Sequence, residues 1–253
     1  MQTPKALIFD VDGTLADTER DGHRVAFNQA FAEAGLNWHW NIQTYGKLLD
    51  VTGGKERIRH FIDQFQPGFN SSGNLDDFIL NLHKIKTRHF ITLLKSGAIP
   101  LRPGVERLLQ EARSMGLRLG IATTTTAENV TALLSATLGE NSIAWFDVIA
   151  AGDVVAEKKP APDIYLYAIN QMGLTATDCI AFEDSEHGLQ SAMGAGLRTI
   201  VTINSYTQHQ DFDGAALVVD QLGEPQTKFH VLSGSAGAAT YVDVSLIKGL
   251  CKT

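Results

Sequence analysis

Six apolar runs, separated by helical patterns, limit the fold of this chain more than any other feature. The first is Lys5 to Val11, where Ala6-Leu7-Ile8-Phe9 leads directly into Asp10, Asp12 and Gly13. An unbroken apolar run of this length marks a strand buried on both faces of a parallel sheet, whereas a strand with one wet face would alternate. Similar runs recur at Leu117 to Ala122, Val148 to Ala150, Cys179 to Phe182, Thr199 to Thr202 and Ala216 to Val219. Between them lie amphipathic segments such as Gly104 to Met115, with Val105, Leu108, Leu109 and Ala112 on one face, and Asp163 to Met172, with Ile164, Tyr167 and Ala168. Strand and helix in alternation predict a doubly wound, Rossmann-like α/β core around a parallel sheet.

The interval from Asp17 to Ile99 breaks that rhythm, because it carries helical periodicity without a convincing strand. Val25, Phe27, Ala30, Phe31 and Ala34 form one such series, and Leu75, Phe78, Ile79, Leu82 and Ile85 form another. The expected organisation is a catalytic core of residues 1–16 and 100–253 with an α-helical cap inserted at 17–99. Ser233 to Ala239 reads as a small-residue linker before a short final helix. With 253 residues, 44% of them hydrophobic, the chain is long enough to bury such a core.

A net charge of −7 disfavours nucleic acid or an anionic membrane as a partner. No segment approaches the roughly 18 continuous apolar residues of a membrane span. Cys179 and Cys251 are too few for a disulfide framework, and Met1 leads directly into the first strand. These features suggest a monomeric cytoplasmic protein, or one of the plastid stroma if a transit peptide has been removed.

Ligands of open α/β sheets sit at the carboxyl ends of the strands. Asp10 ends the first strand, Asp12 can face the same space, and Gly13 allows the backbone to turn sharply away. Two carboxylates this close repel unless a cation joins them, and hard oxygen ligands suit Mg²⁺. A second acidic pair, Glu183-Asp184, follows another buried strand and would converge on the first. Thr123 and Thr124 open a run of four threonines between a strand and a helix, where hydroxyls and free amides can hold an anion. The basic loop Glu157-Lys158-Lys159-Pro160 precedes the Asp163 helix.

With these four segments in order at strand ends, the chain resembles the haloacid dehalogenase superfamily, in its phosphatase branch with a helical cap. The resemblance covers about Lys5 to Leu222. It implies that Asp10 is the nucleophile and Asp12 the general acid and base. Thr123 and Lys159 would hold the transferring phosphoryl group. Mg²⁺ would be held by Asp10, the Asp12 main-chain carbonyl and Asp184, with Glu183 as a further candidate. The bottom-up chemistry is compatible, since a carboxylate can form an acyl-phosphate and Lys159 with Mg²⁺ can offset the charge of an anionic phosphate.

The cap should carry substrate selection. Glu19 and His23 open its first helix, and Thr52-Gly53-Gly54-Lys55-Glu56-Arg57 is a glycine turn followed by cations. Such a turn ahead of a basic helix start can cradle a second phosphate with backbone amides and Lys55, which favours a sugar bisphosphate substrate. ERDGHRVAFN together with GGKERI is similar to the CbbY-type branch associated with carbon fixation. That resemblance implies a phosphatase for xylulose 1,5-bisphosphate, an inhibitory by-product of Rubisco.

Plainer readings stand beside these. An EF-hand loop starting at Asp10 would need glycine and glutamate where the chain has Leu15 and Asp21. Glu183-Asp184 is alternatively a helix cap, the threonine run ordinary polarity, and His23 a satisfied cap histidine. Arg57 is alternatively solvated, Lys158 reads as solvated, and Lys84, Lys86 and Arg88 read as the exposed side of a cap helix. Two other functions share the architecture. A sugar phosphomutase would not release free phosphate from a bisphosphate, and a non-catalytic sugar-phosphate sensor would bind without hydrolysis.

Overall fold

The chain folds around a seven-stranded sheet whose spatial order is β3-β2-β1-β4-β5-β6-β7. The structure, a computed structural model, describes residues 3–71 and 73–251. The strands are β1 (Ala6–Phe9), β2 (Arg118–Thr123), β3 (Phe146–Ala151), β4 (Cys179–Glu183), β5 (Arg198–Thr202), β6 (Leu217–Val219) and β7 (Val231–Gly234). All neighbouring pairs are parallel except β6 and β7, which run antiparallel. The chain builds outward from β1 in one direction through β2 and β3, then crosses back to β4 and continues the other way. That reversal places the ligand crevice beside β1 and β4.

Side chains alternate across the sheet with the period of a strand. Leu7, Phe9, Leu119, Ile121, Ile180 and Phe182 face one layer, made by α5 (Val105–Ser114), α6 (Ala127–Leu138) and α9 (Val244–Leu250). Ala6, Ile8, Cys179 and Ala181 face the other, where α7 (Asp163–Gln171) packs with Ile164, Tyr165 and Ala168. The remaining core helix, α8 (Glu186–Gly194), follows β4. Burial on both sides explains why these strands read as continuous apolar runs.

The expected linker at Ser233 to Ala239 is corrected in part, because Ser233 and Gly234 belong to β7. Every residue of β7 is exposed, and its two apolar residues, Val231 and Leu232, make too short a run to have announced a strand.

Between β1 and β2 the chain builds α1 (Arg24–Glu33), α2 (Ile42–Leu48), α3 (Gly54–Phe65) and α4 (Leu75–Lys95). A wide π-turn, Glu19–His23, leads straight into α1. These helices bury an aromatic cluster in which Trp40 lies 4.6 Å from Phe27, 4.8 Å from Phe31 and 5.3 Å from Phe61 between ring centroids. Phe90 and Leu94 of α4 join the main core, so the helical layer is seated on the sheet layer. The outgoing and returning segments meet at a bridge between Ala16 and Leu101. Among the described residues no helix is long and apolar enough to cross a membrane.

Arg102, at the returning crossing, ties this junction to the strand ends. Its buried guanidinium donates to the Gly13 carbonyl, to Thr202 O at 2.9 Å, to Ile203 O at 2.5 Å and to Asp220 O at 2.8 Å. Replacing Arg102 by Met leaves those carbonyls without their donor. Arg102→Met should lower stability by about 2–4 kcal/mol in urea denaturation, and a loss below 1 kcal/mol would contradict this role.

Candidate active site

The register of β1 against β4 brings the two acidic pairs together. Phe9 pairs with Phe182, so Asp10 and Glu183 emerge at the same level, and Asp10 N donates to Phe182 O at 3.0 Å. On its other side Phe9 pairs with Ile121, which sets Thr123 just beyond the end of β1. Lys159, from the loop ahead of α7, reaches across. Its Nζ donates to Asp10 Oδ1 at 2.6 Å, to Glu183 Oε1 at 2.6 Å and to Ala122 O at 3.0 Å. Tyr165 donates to the same Glu183 oxygen at 2.5 Å. Asn204 donates to Asp184 Oδ2 at 2.6 Å.

One carboxylate oxygen each from Asp10, Glu183 and Asp184 lies within 4.8 Å of the others, and all three residues are buried. One ammonium, Lys159, pairs with two of these three carboxylates, Asp10 and Glu183. Burial pushes Asp10 up to about 7, with Lys159 opposing the shift and Glu183 adding to it. Asp184 is driven well above the usual carboxylate range by burial, then by Asp10 and Glu183. Burial penalises charge on Lys159, yet its two carboxylate partners hold its pKa above the usual lysine value. Such a donor set fits a hard divalent cation, which would favour the ionised carboxylates.

Gly13 is what allows the close approach. Its φ is +88°, and a Cβ there would come 2.2 Å from Asp184 Oδ2. The capping alternative for the second acidic pair does not hold, because Ser185 caps α8 and accepts from Gly188 N. In the threonine run Thr126 caps α6, while Thr123 and Thr124 line the cleft.

Asp12 has a different environment from Asp10. Thr18 donates to its Oδ1 at 2.5 Å, and His23 Nε2 lies 2.8 Å from the same oxygen. Lys86 Nζ donates to His23 Nδ1 at 2.7 Å, which assigns the ring proton to Nε2 and makes His23 a donor to Asp12. Burial raises the proton affinity of Asp12, but His23 and Thr18 outweigh it and hold the carboxylate well below its usual range. Lys86 is 3% exposed, packs over Phe27 and Phe90, and is lowered by burial to about 8. The expectation that Lys86 decorates an exposed face is therefore wrong, although Lys84 and Arg88 are exposed as expected.

Arg57 is also buried rather than solvated, donating to Leu48 O and to the Tyr45 hydroxyl. That hydroxyl donates in turn to Glu19, which lies 3.9 Å from Arg57. Lys158 is not free either, since it donates to Asp153 Oδ1 at 2.7 Å and to Gly152 O at 2.6 Å. Lys55 crosses from the cap to pair with the same Asp153. Thr52 Oγ1 lies 3.3 Å from His187 Nδ1 of the core.

The cleft between cap and core has two lobes that share Asp12, Glu19, Arg57 and Thr124. One, of 470 Å³, holds Asp10, Thr123, Lys159 and Asp184. The other, of 530 Å³, holds His23, Gly53, Gly54, Lys55 and Lys86. All the residues predicted from sequence thus border this cleft, except Glu183, which backs Lys159 from beneath. Thr18, Lys86, Tyr165 and Asn204 were missed as site residues. Only Lys86 had a sequence signal, since it shares the face of α4 that carries Leu82 and Phe90.

A family model for haloacid dehalogenase-like hydrolases matches residues 4–196, and the chain belongs to that family. It is a phosphatase by its relatives and its site. The CbbY protein of Cupriavidus necator is 48% identical over 221 residues, 87% of each chain. The crystal structure of CbbY from Rhodobacter sphaeroides with phosphate superposes with a TM-score of 0.82 at 46% identity, covering 87% of this chain and 95% of that one. A variant of the same protein, crystallised with xylulose 1,5-bisphosphate, gives 0.81 at 46% identity over the same shares.

The crowding at Gly13 yields a direct test. Gly13→Ala should lower kcat by about a hundredfold through displacement of Asp184, while far-ultraviolet dichroism stays that of the folded protein. Retention of more than half the activity would show that Asp184 tolerates the shift.

Proposed function

We propose that this chain is a Mg²⁺-dependent phosphatase that removes one phosphate from a pentulose bisphosphate, with xylulose 1,5-bisphosphate as the substrate. The observation that supports it most is the union of the Asp10 lobe with a second lobe bearing Lys55 and a glycine-opened helix start, within one cleft. The relative crystallised with that bisphosphate supports the choice of sugar.

In the first step an Asp10 carboxylate oxygen attacks phosphorus and the bond from phosphorus to the sugar oxygen breaks. Asp12 gives its proton to that oxygen. In the second step Asp12 takes a proton from water as the water oxygen attacks phosphorus, which releases inorganic phosphate and restores Asp10. Thr123 and Lys159 hold the phosphoryl oxygens throughout. Mg²⁺, held by Asp10, Asp184, the Asp12 carbonyl and Glu183, would supply neutralising charge to the phosphoryl group.

His23 and Thr18 keep Asp12 in its basic form in the ligand-free chain, ready for the second step. A substrate dianion beside Asp12 raises its proton affinity and so prepares it for the first. The cap excludes bulk water from the intermediate. At the far end, the second phosphate competes with Asp153 for Lys55.

Phosphate release from xylulose 1,5-bisphosphate and from p-nitrophenyl phosphate, which has no second phosphate, tests this reading. The wild-type protein should prefer the bisphosphate by at least about a hundredfold in kcat/KM. Chelation of Mg²⁺ or Asp10→Asn should abolish both activities. Lys55→Ala should raise KM for the bisphosphate about tenfold or more, with far less effect on the monoester. Equal losses on the two substrates would remove the second phosphate from the account.

A further inference from the structure

Glu183 pairs with Val201 in the register of β4 against β5, so Asp184 and the residues that follow Thr202 leave the sheet side by side. Asn204 stands among those residues and donates its side-chain amide to Asp184 Oδ2 at 2.6 Å. Among the described residues no other group donates a hydrogen bond to that carboxylate, and its Oδ1 accepts none. The Asn204 amide is held from its other end, because its Oδ1 accepts from Tyr206 N at 2.9 Å. That bond makes the nitrogen the atom that faces Asp184. Asn204 N donates to Thr207 Oγ1 at 3.0 Å, and its carbonyl accepts from Thr207 N at 3.2 Å and Gln208 N at 3.1 Å. The preceding residue, Ile203, donates from its N to Val219 O at 3.0 Å and accepts from Arg102 at 2.5 Å. A tight turn thus fixes the side chain that reaches Asp184, and the sheet fixes the turn.

Gly13 forms the opposite wall. A Cβ there would come 2.2 Å from Asp184 Oδ2 and 2.8 Å from Asn204 Nδ2, so the missing side chain makes room for both partners of this bond. Arg102 joins the two walls, since it donates to the Gly13 carbonyl and to Ile203 O. The other two carboxylates of the cluster are held differently. Lys159 donates to Asp10 and to Glu183, and Tyr165 adds a second bond to Glu183. Asp184 has no ammonium partner, and an oriented amide stands in that role.

We infer that Asn204 is a positioning residue of the metal site, fixing Asp184 through Oδ2 so that Oδ1 is the oxygen offered to the cation. The inference rests on the Mg²⁺ reading above and adds to it a residue that takes no place among the ligands. A neutral donor suits the position. It orients a buried carboxylate without setting a further positive charge beside the cation or burying one at a desolvation cost. Groups that hold metal ligands in this way commonly govern affinity by about ten- to a hundredfold.

The test is calorimetric titration of Mg²⁺ into the wild-type chain, Asn204→Ala and Asn204→Ser. Serine keeps an acceptor for Tyr206 N, and with it the turn, but its hydroxyl ends a bond short of the Nδ2 position. The dissociation constant for Mg²⁺ should rise about tenfold or more in both variants. The Mg²⁺ concentration that gives half-maximal phosphate release from p-nitrophenyl phosphate should rise by the same factor. The Ser variant carries the test if far-ultraviolet dichroism shows that the Ala variant does not fold. Wild-type affinity for Mg²⁺ in both variants would overturn the role of Asn204 and leave the Mg²⁺ reading intact. A loss confined to the Ala variant would also overturn it, reducing Asn204 to a turn former. A wild-type chain that binds no Mg²⁺ would overturn both.

Discussion

Three buried carboxylates meet at the ends of β1 and β4, where one ammonium, Lys159, pairs with only two of them, and the rest of the molecule is arranged to sustain that imbalance. Burial alone would protonate such a cluster. The parallel register delivers Asp10 and Glu183 to the same level, and Lys159 bridges them from a separate loop. Arg102 then clamps the Gly13 carbonyl to the ends of β5 and β6, which fixes the turn that carries Asp12 away from Asp10. The two aspartates are two residues apart, yet their surroundings push their proton affinities in opposite directions. Asp10 is raised by burial, while Asp12 is held low by His23 and Thr18. Separated affinities of this kind are what a nucleophile and a proton-transfer group need when they share one site.

The helical cap contributes chemistry as well as cover. Thr18 and His23 come from its first turn and Lys86 from its longest helix, and together they set the charge state of Asp12. The π-turn at Glu19–His23 widens the chain where Glu19 and His23 both face the cleft. Lys55 and Thr52 cross to Asp153 and His187 of the core, so the walls of the cleft are formed by both layers at once.

Much of this was legible in the sequence, for definite physical reasons. The strands of the core are buried on both faces, and so their apolar runs marked both their positions and the polar residues at their ends. Asp10, Asp12, Thr123 and Asp184 were visible because each follows or adjoins such a run, and Lys159 because it stands in a basic loop just ahead of a helix. β7 was not visible, because Val231 and Leu232 are too short an apolar run and Ser233 and Gly234 read as the start of a linker. Lys86 was misjudged, and the solvated alternative for Arg57 fails, because both lie on buried helix faces despite their side-chain type. Lys86 lies four residues from Leu82 and from Phe90, and Arg57 lies four from Phe61, all on buried faces. Tyr165 and Asn204 depend on which elements the topology brings to Glu183 and Asp184, and no local pattern announces that. The pairing of Lys55 with Asp153 is likewise a product of how cap and core meet.

The claim beneath all of this is that the acidic cluster is built for a divalent cation. Calorimetric titration of Mg²⁺ into the wild-type chain and into Asp184→Asn tests it most directly. The account predicts a single site in the wild type, weakened by at least about tenfold in the variant. A wild-type chain that takes up no Mg²⁺ at millimolar concentrations, or a variant that binds it equally well, would contradict the account.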